Sequence, residues 1–504
     1  MLKFIAIQTC IFFLTNVLSA QPGFNRIYDT ASIGNKHFHS IFVDQDTIIA
    51  IGLGYESGTP QGIVLAKIDS SGNLISQNFI VDSLNDFLSM YFLYGDAIKT
   101  SNEYYAFPAV ALNRGGYLLI QIDLDLQVKS IFEFQSPDDY TAFDETILEL
   151  DDGSFFISGN ISRPNLKKDG FIRRIDNSGN LLWFKYYGDY NKDESFRSMV
   201  KITNNRFLIS GGAGPDSDNS ETARAGLWVV DSNGVVLDTW LGPEEPDLIT
   251  IRGLLSASDG GFIAHGRTYR GQGQWGLQMQ ETLMKFESTL QLEWLKHIGP
   301  ASSNYNGIYD MLPTPDGHYI VAGQRTAYGD LTQPSDDWGG WLYKFSEQGD
   351  SIWARADNAP APYIASGEYA YGGVGLLSSG SVVAGGIGNV DGKFVGWVVK
   401  VTADGCLDTI FCNTISAVEP SSEAVGQLKV WPNPAEEAVW IELQRVTGKT
   451  NLQILDAQGR IKYAQQFLQS PVELDISSFP AGIYIVLLEN DAGVFAREKL
   501  VVVR

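Results

Sequence analysis

The fold of this chain is best indicated by three neighbouring segments: Ser154-Phe-Phe-Ile-Ser-Gly-Asn-Ile161, Gly170-Phe-Ile-Arg-Arg-Ile-Asp176 and Asn180-Leu-Leu-Trp-Phe-Lys-Tyr-Tyr-Gly188. Together with Thr146-Ile-Leu-Glu-Leu150 they make four short runs, bounded by Gly, Asn, Asp and Ser. The runs are rich in Ile, Phe, Tyr and Trp, which favour strands, whereas the bounding residues favour turns. This region therefore predicts four successive β-strands.

The same unit recurs through residues 40–412, in seven copies spaced roughly 51 to 62 residues apart. One of its elements is an apolar run that ends in Gly, and the second copy has the degenerate version Tyr104–Pro108. The regular versions are Ile48–Gly52, Phe155–Gly159, Phe207–Gly211, Phe262–Gly266, Tyr319–Gly323 and Val382–Gly385. Seven units of four strands predict an all-β body, a seven-bladed β-propeller. A β-solenoid and a pair of β-sandwiches are the alternatives.

Two features concern the closure of the predicted ring. Phe24-Asn-Arg-Ile-Tyr-Asp29 resembles the strands that end two of the repeats, Trp183–Gly188 and Trp294–Gly299. We expect it to join the last blade and cover its exposed edge. Once a signal peptide is removed, Cys406 and Cys412 remain, and an even pair so close in an exported protein predicts a local disulfide. Free thiols are the alternative.

The N-terminus predicts export. Lys3 is followed by a mostly apolar run, Phe4 to Leu18, and Leu18-Ser-Ala20 has the small residues of a cleavage site. We therefore predict a signal peptide over residues 1–20, with a short N-terminal anchor as the alternative. No later segment is apolar for eighteen residues, so no transmembrane span is predicted.

Composition limits the function classes. The hydrophobic content of 44% suffices for a folded core, and 52 glycines suit a protein with many tight turns. The formal net charge is −23, and such an acidic chain repels nucleic acid and anionic lipid. Both are excluded as partners.

Catalytic signatures are absent from the sequence. It contains no Gly-x-Ser-x-Gly elbow, no His-Glu-x-x-His helix and no phosphate-binding loop, and His37-x-His39 is the one histidine pair with metal-ligand spacing. We interpret that pair as core or solvent-facing histidines. Asp189-Tyr-Asn-Lys-Asp193 resembles the start of a calcium loop, but Glu194 and Val200 replace its glycine and its last ligand. A solvated loop is preferred over a weak calcium site. We predict no catalytic residue, no metal site and no cofactor.

Long loops carry the candidate ligand-binding residues. The loops of residues 212–225, 267–281 and 324–339 fall at one end of adjacent blades and hold aromatic rings beside Asp and Arg. Such sets suit sugars or peptides, because rings stack while polar groups orient the ligand. Inward packing that stabilises the loops is the alternative. The candidates are Tyr269, Arg270, Trp275, Arg325, Tyr328, Asp337 and Trp338.

The turn-plus-Trp element, best seen in Gly179-Asn-Leu-Leu-Trp183 and Gly349-Asp-Ser-Ile-Trp353, resembles the repeats of quinoprotein dehydrogenases and outer-membrane assembly propellers. The resemblance implies blade packing. It does not extend to the paired cysteines or calcium ligands that would accompany a quinone.

The last part of the chain has a different pattern. Trp431-Pro-Asn-Pro434 enters a series of short strands that includes Leu452–Gly459 and Pro480–Val486, and the chain ends on Lys499-Leu-Val-Val-Val-Arg504. After a linker over 415–427, residues 428–504 are predicted to form a small immunoglobulin-like β-sandwich. The order of these motifs resembles the type A C-terminal sorting domain of the Bacteroidetes type IX (Por) secretion system. The motif residues are Pro432, Asn433, Pro434, Asp456, Gly459, Gly482, Tyr484 and Lys499.

This resemblance implies a route and a partner. The chain would pass the inner membrane by its signal peptide and the outer membrane through the type IX machinery, to be released or attached at the surface of a Gram-negative bacterium. The body, residues 21–414, is then interpreted as a non-catalytic binding scaffold for glycan or protein. The alternative is a secreted polysaccharide-active hydrolase or lyase with its site at the mouth of the propeller channel.

Overall fold

The computed structural model describes residues 23–28, 35–56, 59–81, 88–90, 97–113, 115–134, 141–162, 168–188, 192–214, 223–242, 248–273, 276–302, 307–326, 338–358, 369–390, 393–407, 415–416, 428–443, 450–456, 461–467, 471–490 and 493–503. The predicted signal peptide lies outside these ranges. Within them the chain is all-β, as predicted, with 37 strands and no helix. In the same ranges there is accordingly no helix with the length and hydropathy to cross a membrane.

The first half of the body contains the strands β1 (Phe24–Tyr28), β2 (Asn35–Asp44), β3 (Thr47–Glu56), β4 (Thr59–Ile68), β5 (Leu74–Ile80), β6 (Leu88–Ser89), β7 (Ile98–Lys99), β8 (Tyr105–Ala111), β9 (Gly116–Ile122), β10 (Val128–Phe134), β11 (Thr141–Glu149), β12 (Phe155–Ser162), β13 (Lys168–Ile175), β14 (Leu181–Tyr187), β15 (Asp193–Thr203), β16 (Arg206–Gly214), β17 (Arg224–Val230) and β18 (Val236–Leu241). The rest of the body contains β19 (Leu248–Ser256), β20 (Phe262–Gly273), β21 (Gly276–Phe286), β22 (Leu292–Ser302), β23 (Gly307–Pro313), β24 (Tyr319–Thr326), β25 (Trp338–Phe345), β26 (Ser351–Asp357), β27 (Ala370–Leu376), β28 (Val382–Val390), β29 (Lys393–Val401) and β30 (Ile415–Ser416). The C-terminal strands are β31 (Leu428–Trp431), β32 (Ala438–Leu443), β33 (Thr450–Asp456), β34 (Ile461–Phe467), β35 (Val472–Asp475), β36 (Gly482–Asn490) and β37 (Gly493–Val502).

The described body strands form seven antiparallel sheets. Sheets 1, 3, 4 and 5 are four-stranded meanders, β2 to β5, β11 to β14, β15 to β18 and β19 to β22. Sheet 2 contains β6 to β10, and sheet 6 contains β23 to β26 with β30 added at its edge. Sheet 7 has the order β27-β28-β29-β1. Consecutive strands of each sheet pair with each other, so the four runs of each repeat pair locally. Strand β30 falls within the segment predicted as a linker.

Neighbouring sheets pack face to face, which explains why the strands are continuous apolar runs. Successive side chains of a strand point to opposite faces. In β12, Ile157 packs with residues of sheet 2, whereas its neighbour Phe156 packs with Phe207 of sheet 4. Both side chains are fully buried. Burying one such side chain stabilises the fold by roughly 1.5–3 kcal/mol, so each strand contributes to two cores.

The sheets contact each other in cyclic order. Among the described residues, each pair of consecutive sheets shares an apolar cluster, and the cluster with Val383 of sheet 7 and Ile48 of sheet 1 links the last sheet to the first. Strand β1 pairs with β29 along the outer edge of sheet 7. The Tyr28 hydroxyl then donates to the Gly72 carbonyl (2.8 Å), as that of Tyr187 does to Gly234 (2.7 Å). The predicted pairing of the N-terminal strand with the edge of the last repeat is confirmed.

The polar turns between third and fourth strands also join the sheets. In sheet 3, Asp176 accepts hydrogen bonds from the backbone of Ser178 and Asn180, and Gly179 has a φ of +85°. The corresponding glycine of sheet 4, Gly234, receives the indole of Trp183 from the preceding sheet, and a Cβ there would lie 2.7 Å from that ring. The glycine is therefore required by its backbone conformation and by the aromatic ring that covers it.

A buried cation reinforces the contact between sheets 5 and 6. The ammonium of Lys285, at the end of β21, donates to Asp259 (2.6 Å) in its own sheet and to Glu347 (3.0 Å) in the next. Its side chain is 4% exposed. Burial lowers the pKa of Lys285, but the bonds to the two carboxylates outweigh this and raise it overall. Arg174 has the same role in sheet 3, since it binds Asp152 and the Ser232 carbonyl of sheet 4.

We expect Lys285→Met to lower the free energy of unfolding by about 1–3 kcal/mol, because the two carboxylates lose their shared partner. The control is Lys296→Met, which removes a half-exposed ion pair with Asp350 at the same pair of sheets. Exposed pairs contribute only about 0–1 kcal/mol. Urea unfolding of both variants checks the prediction, and equal losses would contradict it.

The C-terminal strands form two sheets around a core of their own. Strands β31, β32 and β35 make one sheet, and β34, β33, β36 and β37 make the other. Val439 and Ile441 of the first sheet share one apolar cluster with Leu452 and Val486 of the second. The two sheets are thus held together by side chains that alternate inwards.

Candidate functional site

The first strand of each of six sheets, called the inner strand, has the same local irregularity. In β2, β11, β15, β19, β23 and β27 one extra residue interrupts the pairing with the second strand of the sheet. Such a β-bulge takes one side chain out of the regular alternation and is common beside functional sites. The bulged residues are His39, Glu145, Arg197, Arg252, Tyr309 and Gly372.

The bulge explains the apolar runs that end in Gly. Phe196, just before the bulge of β15, lies opposite Gly211, and a Cβ on Gly211 would overlap the carbonyl oxygen of Ser195. A Cβ would overlap a carbonyl oxygen of the inner strand in the same way at Gly52, Gly266, Gly323 and Gly386. In the seventh repeat the residue at this position is Gly386, one place after the end of the run identified from the sequence. The glycines allow the inner strand to come close enough to bulge.

An axial cavity of about 260 Å³ lies among the inner strands of sheets 2 to 6. The bulged residues Arg197, Arg252 and Tyr309 line it, together with Asp310 and the imidazole of His265. The two arginines are half-buried. Apolar side chains, among them Leu148, Val200, Leu255 and Met311, complete the wall. The cavity therefore combines a hydrophobic surface with two guanidinium groups.

The electrostatic state of the cavity follows from its titratable groups. The His265 ring packs against Gly253, and burial lowers its pKa to about 3, with the charges of Arg252 and Arg267 adding to the effect. His265 is therefore neutral at pH 7. Arg267 forms a buried ion pair of 2.7 Å with Glu281.

Asp310 ties two sheets together at the cavity wall. One carboxylate oxygen accepts a hydrogen bond from the Met311 amide and the other from the Val374 amide in sheet 7, both at 2.8 Å. Burial raises the pKa of Asp310 to about 7, against the effect of these two donors. Both oxygens are thus engaged by the backbone, and the carboxyl group loses much of its charge below neutral pH.

The predicted loop residues are divided between sheets 5 and 6. Tyr269 and Arg270 lie near the end of β20, where the inner strand β19 begins, and Arg325 lies near the end of β24. Tyr269 packs against Ala223, Ile249 and Met279. Arg270 donates to Gln280 (2.8 Å), and the Arg325 guanidinium lies 5.9 Å from the Trp341 ring centre. These contacts are with the residues' own sheet or the adjacent sheet 4. Trp275, Tyr328, Asp337 and the side chain of Trp338 lie outside the described residues.

The other sequence candidates have mixed outcomes. Asp189 to Asn191 and Cys412 lie outside the described residues, so the weak calcium loop and the Cys406–Cys412 disulfide stay predictions. Asp193, at the end of the calcium-like segment, accepts a hydrogen bond from the Lys168 amide (2.6 Å). Within the described ranges, no three His, Cys, Asp or Glu side chains are grouped to hold a metal ion.

His37 and His39 form a buried pair that spacing alone did not reveal. Their Nε2 atoms are 2.6 Å apart, and the Tyr55 hydroxyl is 3.4 Å from that of His37. Burial, with the neighbouring His39, holds the pKa of His37 well below its usual value. These are core histidines, which agrees with the interpretation preferred from the sequence.

In the C-terminal domain the Pro-Asn-Pro motif clamps the last strand. Asn433 donates to the Lys499 carbonyl (2.5 Å) and accepts from the Val501 amide (2.8 Å). Pro432 and Pro434 both follow cis peptide bonds. Tyr484 is buried and donates to the Pro480 carbonyl (2.8 Å), and Asp456 pairs with it in the sheet. Gly482 begins β36, Lys499 is exposed, and Gly459 lies outside the described residues.

Residues 429–503 match the family model of the secretion system C-terminal sorting domain. No curated protein matches the chain. Several solved structures are similar to this chain at low sequence identity. They include a protein of unknown function from Dyadobacter fermentans (11% identity, TM-score 0.42, 75% of this chain and 97% of that one) and the phage phi92 endosialidase (10%, 0.42, 95% and 87%). The polysaccharide lyase Uly1 is another (9%, 0.40, 77% and 94%).

Three observations identify the last domain: the order of its motifs, the contacts of Asn433 with the last strand, and the family match. Residues 429–503 are a C-terminal sorting domain of the type IX secretion system, and the chain is a secreted or cell-surface protein that is exported through the periplasm.

Proposed function

We propose that residues 21–414 form a seven-bladed β-propeller that acts outside the cell as a non-catalytic binding scaffold for glycan or protein, and that residues 428–504 fold as an immunoglobulin-like sandwich. The cyclic contacts between sheets and the edge strand β1 support the propeller. The observation that carries the binding function is the axial cavity, where apolar side chains and the bulged residues Arg197, Arg252 and Tyr309 converge. Sites for small ligands combine an apolar wall with a few converging polar groups in this way.

The charged groups of the cavity favour binding over hydrolysis. A glycosidase needs two carboxyl groups on either side of the scissile bond, one of which must exchange a proton with the sugar. Among the described residues that line the cavity, Asp310 is the one carboxylate, and backbone amides already occupy both of its oxygens. A hydrolase or lyase at the channel mouth remains the alternative function.

A binding screen tests the proposal. Glycan and peptide arrays are probed with the chain after removal of its signal peptide, and mass spectrometry of the bound compounds detects turnover. Val200→Trp and Leu255→Trp fill the cavity from neighbouring strands, and Val236→Trp is the control because Val236 is 42% exposed on β18. We expect a glycan or peptide to bind unchanged, and the two cavity variants alone to lose it. Binding that survives both variants, or cleavage of the bound compound, would refute the proposal.

The loop residues provide a second contact area in this proposal. We expect Trp275→Ala combined with Trp338→Ala to weaken binding of the array hit tenfold or more. In the proposed contact area each tryptophan ring stacks on the ligand and contributes binding free energy, and both variants remove that ring. The thermal midpoint should stay within a few degrees of the parent. Titration calorimetry and thermal unfolding measure the two effects, and a large fall of the midpoint would show that the rings stabilise the loops instead.

A further inference from the structure

The sorting domain has two tryptophans on its outer surface. Trp431, the last residue of β31, lies directly opposite Trp440 of β32, and their side chains are 39% and 36% exposed. In the part of the chain that the structure describes, every other Trp, Tyr and Phe side chain is buried or half-buried. Directly opposed residues of two strands have Cβ atoms about 4.5–5.5 Å apart. The two indoles therefore form one exposed aromatic patch.

The tryptophans have no place in the core of the domain. Successive side chains of a strand point to opposite faces of the sheet. The neighbours of the two tryptophans along their strands, Val430, Val439 and Ile441, pack on the apolar cluster between the two sheets. Both indoles consequently point away from that cluster, so they are available for a contact with another molecule.

Charged side chains surround the tryptophan pair on the same face of the sheet. Glu473 of β35 lies directly opposite Trp440 on the side away from β31. Residues two places away along a strand share a face, so Lys429 and Glu442, which lie opposite each other, flank the pair at one end, and Asp475 flanks it at the other. Three carboxylates against one ammonium give this rim an excess of negative charge.

The composition of this face fits a protein partner. Protein interfaces have a centre enriched in aromatic residues, which is surrounded by a polar rim, and Trp is enriched among the residues that contribute most to binding. The negative rim disfavours an anionic lipid surface, because like charges repel. The family match implies a protein partner for this domain, the type IX machinery. Trp431 also directly precedes the Pro-Asn-Pro motif, whose Asn433 binds the last strand.

We propose that the type IX machinery recognises this face of the sorting domain. We call it the indole face, and it consists of Trp431 and Trp440 with the rim residues Lys429, Glu442, Glu473 and Asp475. By complementarity, the recognising surface of the machinery is apolar at its centre and has Lys or Arg side chains around it. The inference concerns the sorting domain and goes beyond the binding function proposed for the body.

Export of variants of the full chain tests this assignment. In a host with an active type IX pathway, Trp431→Thr combined with Trp440→Thr should raise the ratio of periplasmic to exported protein at least tenfold. Threonine removes the ring but keeps a high strand propensity. Trp431→Phe combined with Trp440→Phe keeps an aromatic centre and should restore most of the export. The matched control is Ile485→Thr, which removes an exposed apolar side chain from the other sheet and should leave export unchanged.

Two further measurements separate recognition from stability. The thermal midpoint of the purified double Thr variant should stay within a few degrees of the parent. Overproduction of the parent chain should slow the export of other sorting-domain proteins of the host by competition, whereas the double Thr variant should not compete. Glu442→Lys combined with Glu473→Lys should also reduce export, because the reversed rim would repel a basic partner surface.

Each contrary outcome has a distinct meaning. Normal export of the double Thr variant would overturn the assignment, and so would an equal loss of export in Ile485→Thr or a large fall of the thermal midpoint in the double Thr variant. Co-sedimentation with vesicles of phosphatidylethanolamine and phosphatidylglycerol that requires both tryptophans would replace the protein partner by a membrane. Normal export of a chain without residues 428–504 would instead refute the sorting role of the whole domain.

Discussion

Gly211→Ala is expected to destabilise the body by more than about 4 kcal/mol or to prevent its folding. The new Cβ would overlap the Ser195 carbonyl oxygen and press on Phe196, whose ring is fully buried between sheets 3 and 4. These are backbone and core atoms, so neither can move aside without breaking the pairing of β15 with β16. Overpacking alone typically costs about 1–3 kcal/mol, and the loss of the bulge adds to it.

The control for this prediction is Gly260→Ala, at a turn of sheet 5. Gly260 has a φ of +85°, and a Cβ there would meet no atom within 4 Å. The free energy of unfolding of that variant should fall by only about 1–2 kcal/mol, which is the cost of placing an alanine in the left-handed conformation. Chemical unfolding of both proteins, monitored by tryptophan fluorescence, gives the comparison. If Gly211→Ala were no more damaging than Gly260→Ala, the inner-strand bulge would not be the reason for the repeated glycine.

Deletion of residues 428–504 is expected to stop passage across the outer membrane, with the body accumulating in the periplasm. These strands fold around their own core, and the family match assigns them to sorting. In a host with an active type IX pathway, immunoblots of medium, cell surface and periplasm measure the distribution. A truncated chain that still reaches the surface would contradict a sorting role for this domain.

A point variant localises the effect to the clamp. Asn433→Ala removes both side-chain bonds to the last strand and should lower the domain's stability by about 1–3 kcal/mol, because the Lys499 carbonyl and the Val501 amide lose their partner. Export should fall with it. Asn451→Ala, at an exposed position of β33, is the matched control and should be exported as the parent is. Equal export of the two variants would show that the clamp is dispensable.

The repeat architecture could be read from the sequence because its elements are local. The glycine runs, the Asp-to-Gly turns and the strand at Phe24–Tyr28 each have a pattern that fixes a hairpin or an edge strand. The exception is also informative. The second repeat has Ala109 where other repeats have the bulge glycine, and its inner strand is split into β6 and β7. Because Ala109 has a Cβ where the other repeats have glycine, the inner strand cannot approach the second strand as closely.

The cavity could not be found from spacing, because its residues lie on five different sheets. Arg197 and Arg252 are isolated basic residues in apolar strands, and they come together only when the ring forms. One signal was present in β2, β15 and β19: an apolar residue, a bulky polar residue, a small residue and an apolar residue follow each other and interrupt the alternation. The sequence pattern predicted binding at the loop residues instead. Among these, the side chains of Tyr269, Arg270 and Arg325 are described, and they contact residues of sheets 4, 5 and 6.

The axial cavity is the ligand-binding site in our proposal for this exported protein. A crystal structure of residues 21–504, grown with the tightest-binding compound of the array screen, tests this binding site. We expect density for the compound between the inner strands, in contact with Tyr309 and the apolar wall of the cavity. Density confined to the outer loops, with the cavity unchanged, would exclude the cavity as the binding site.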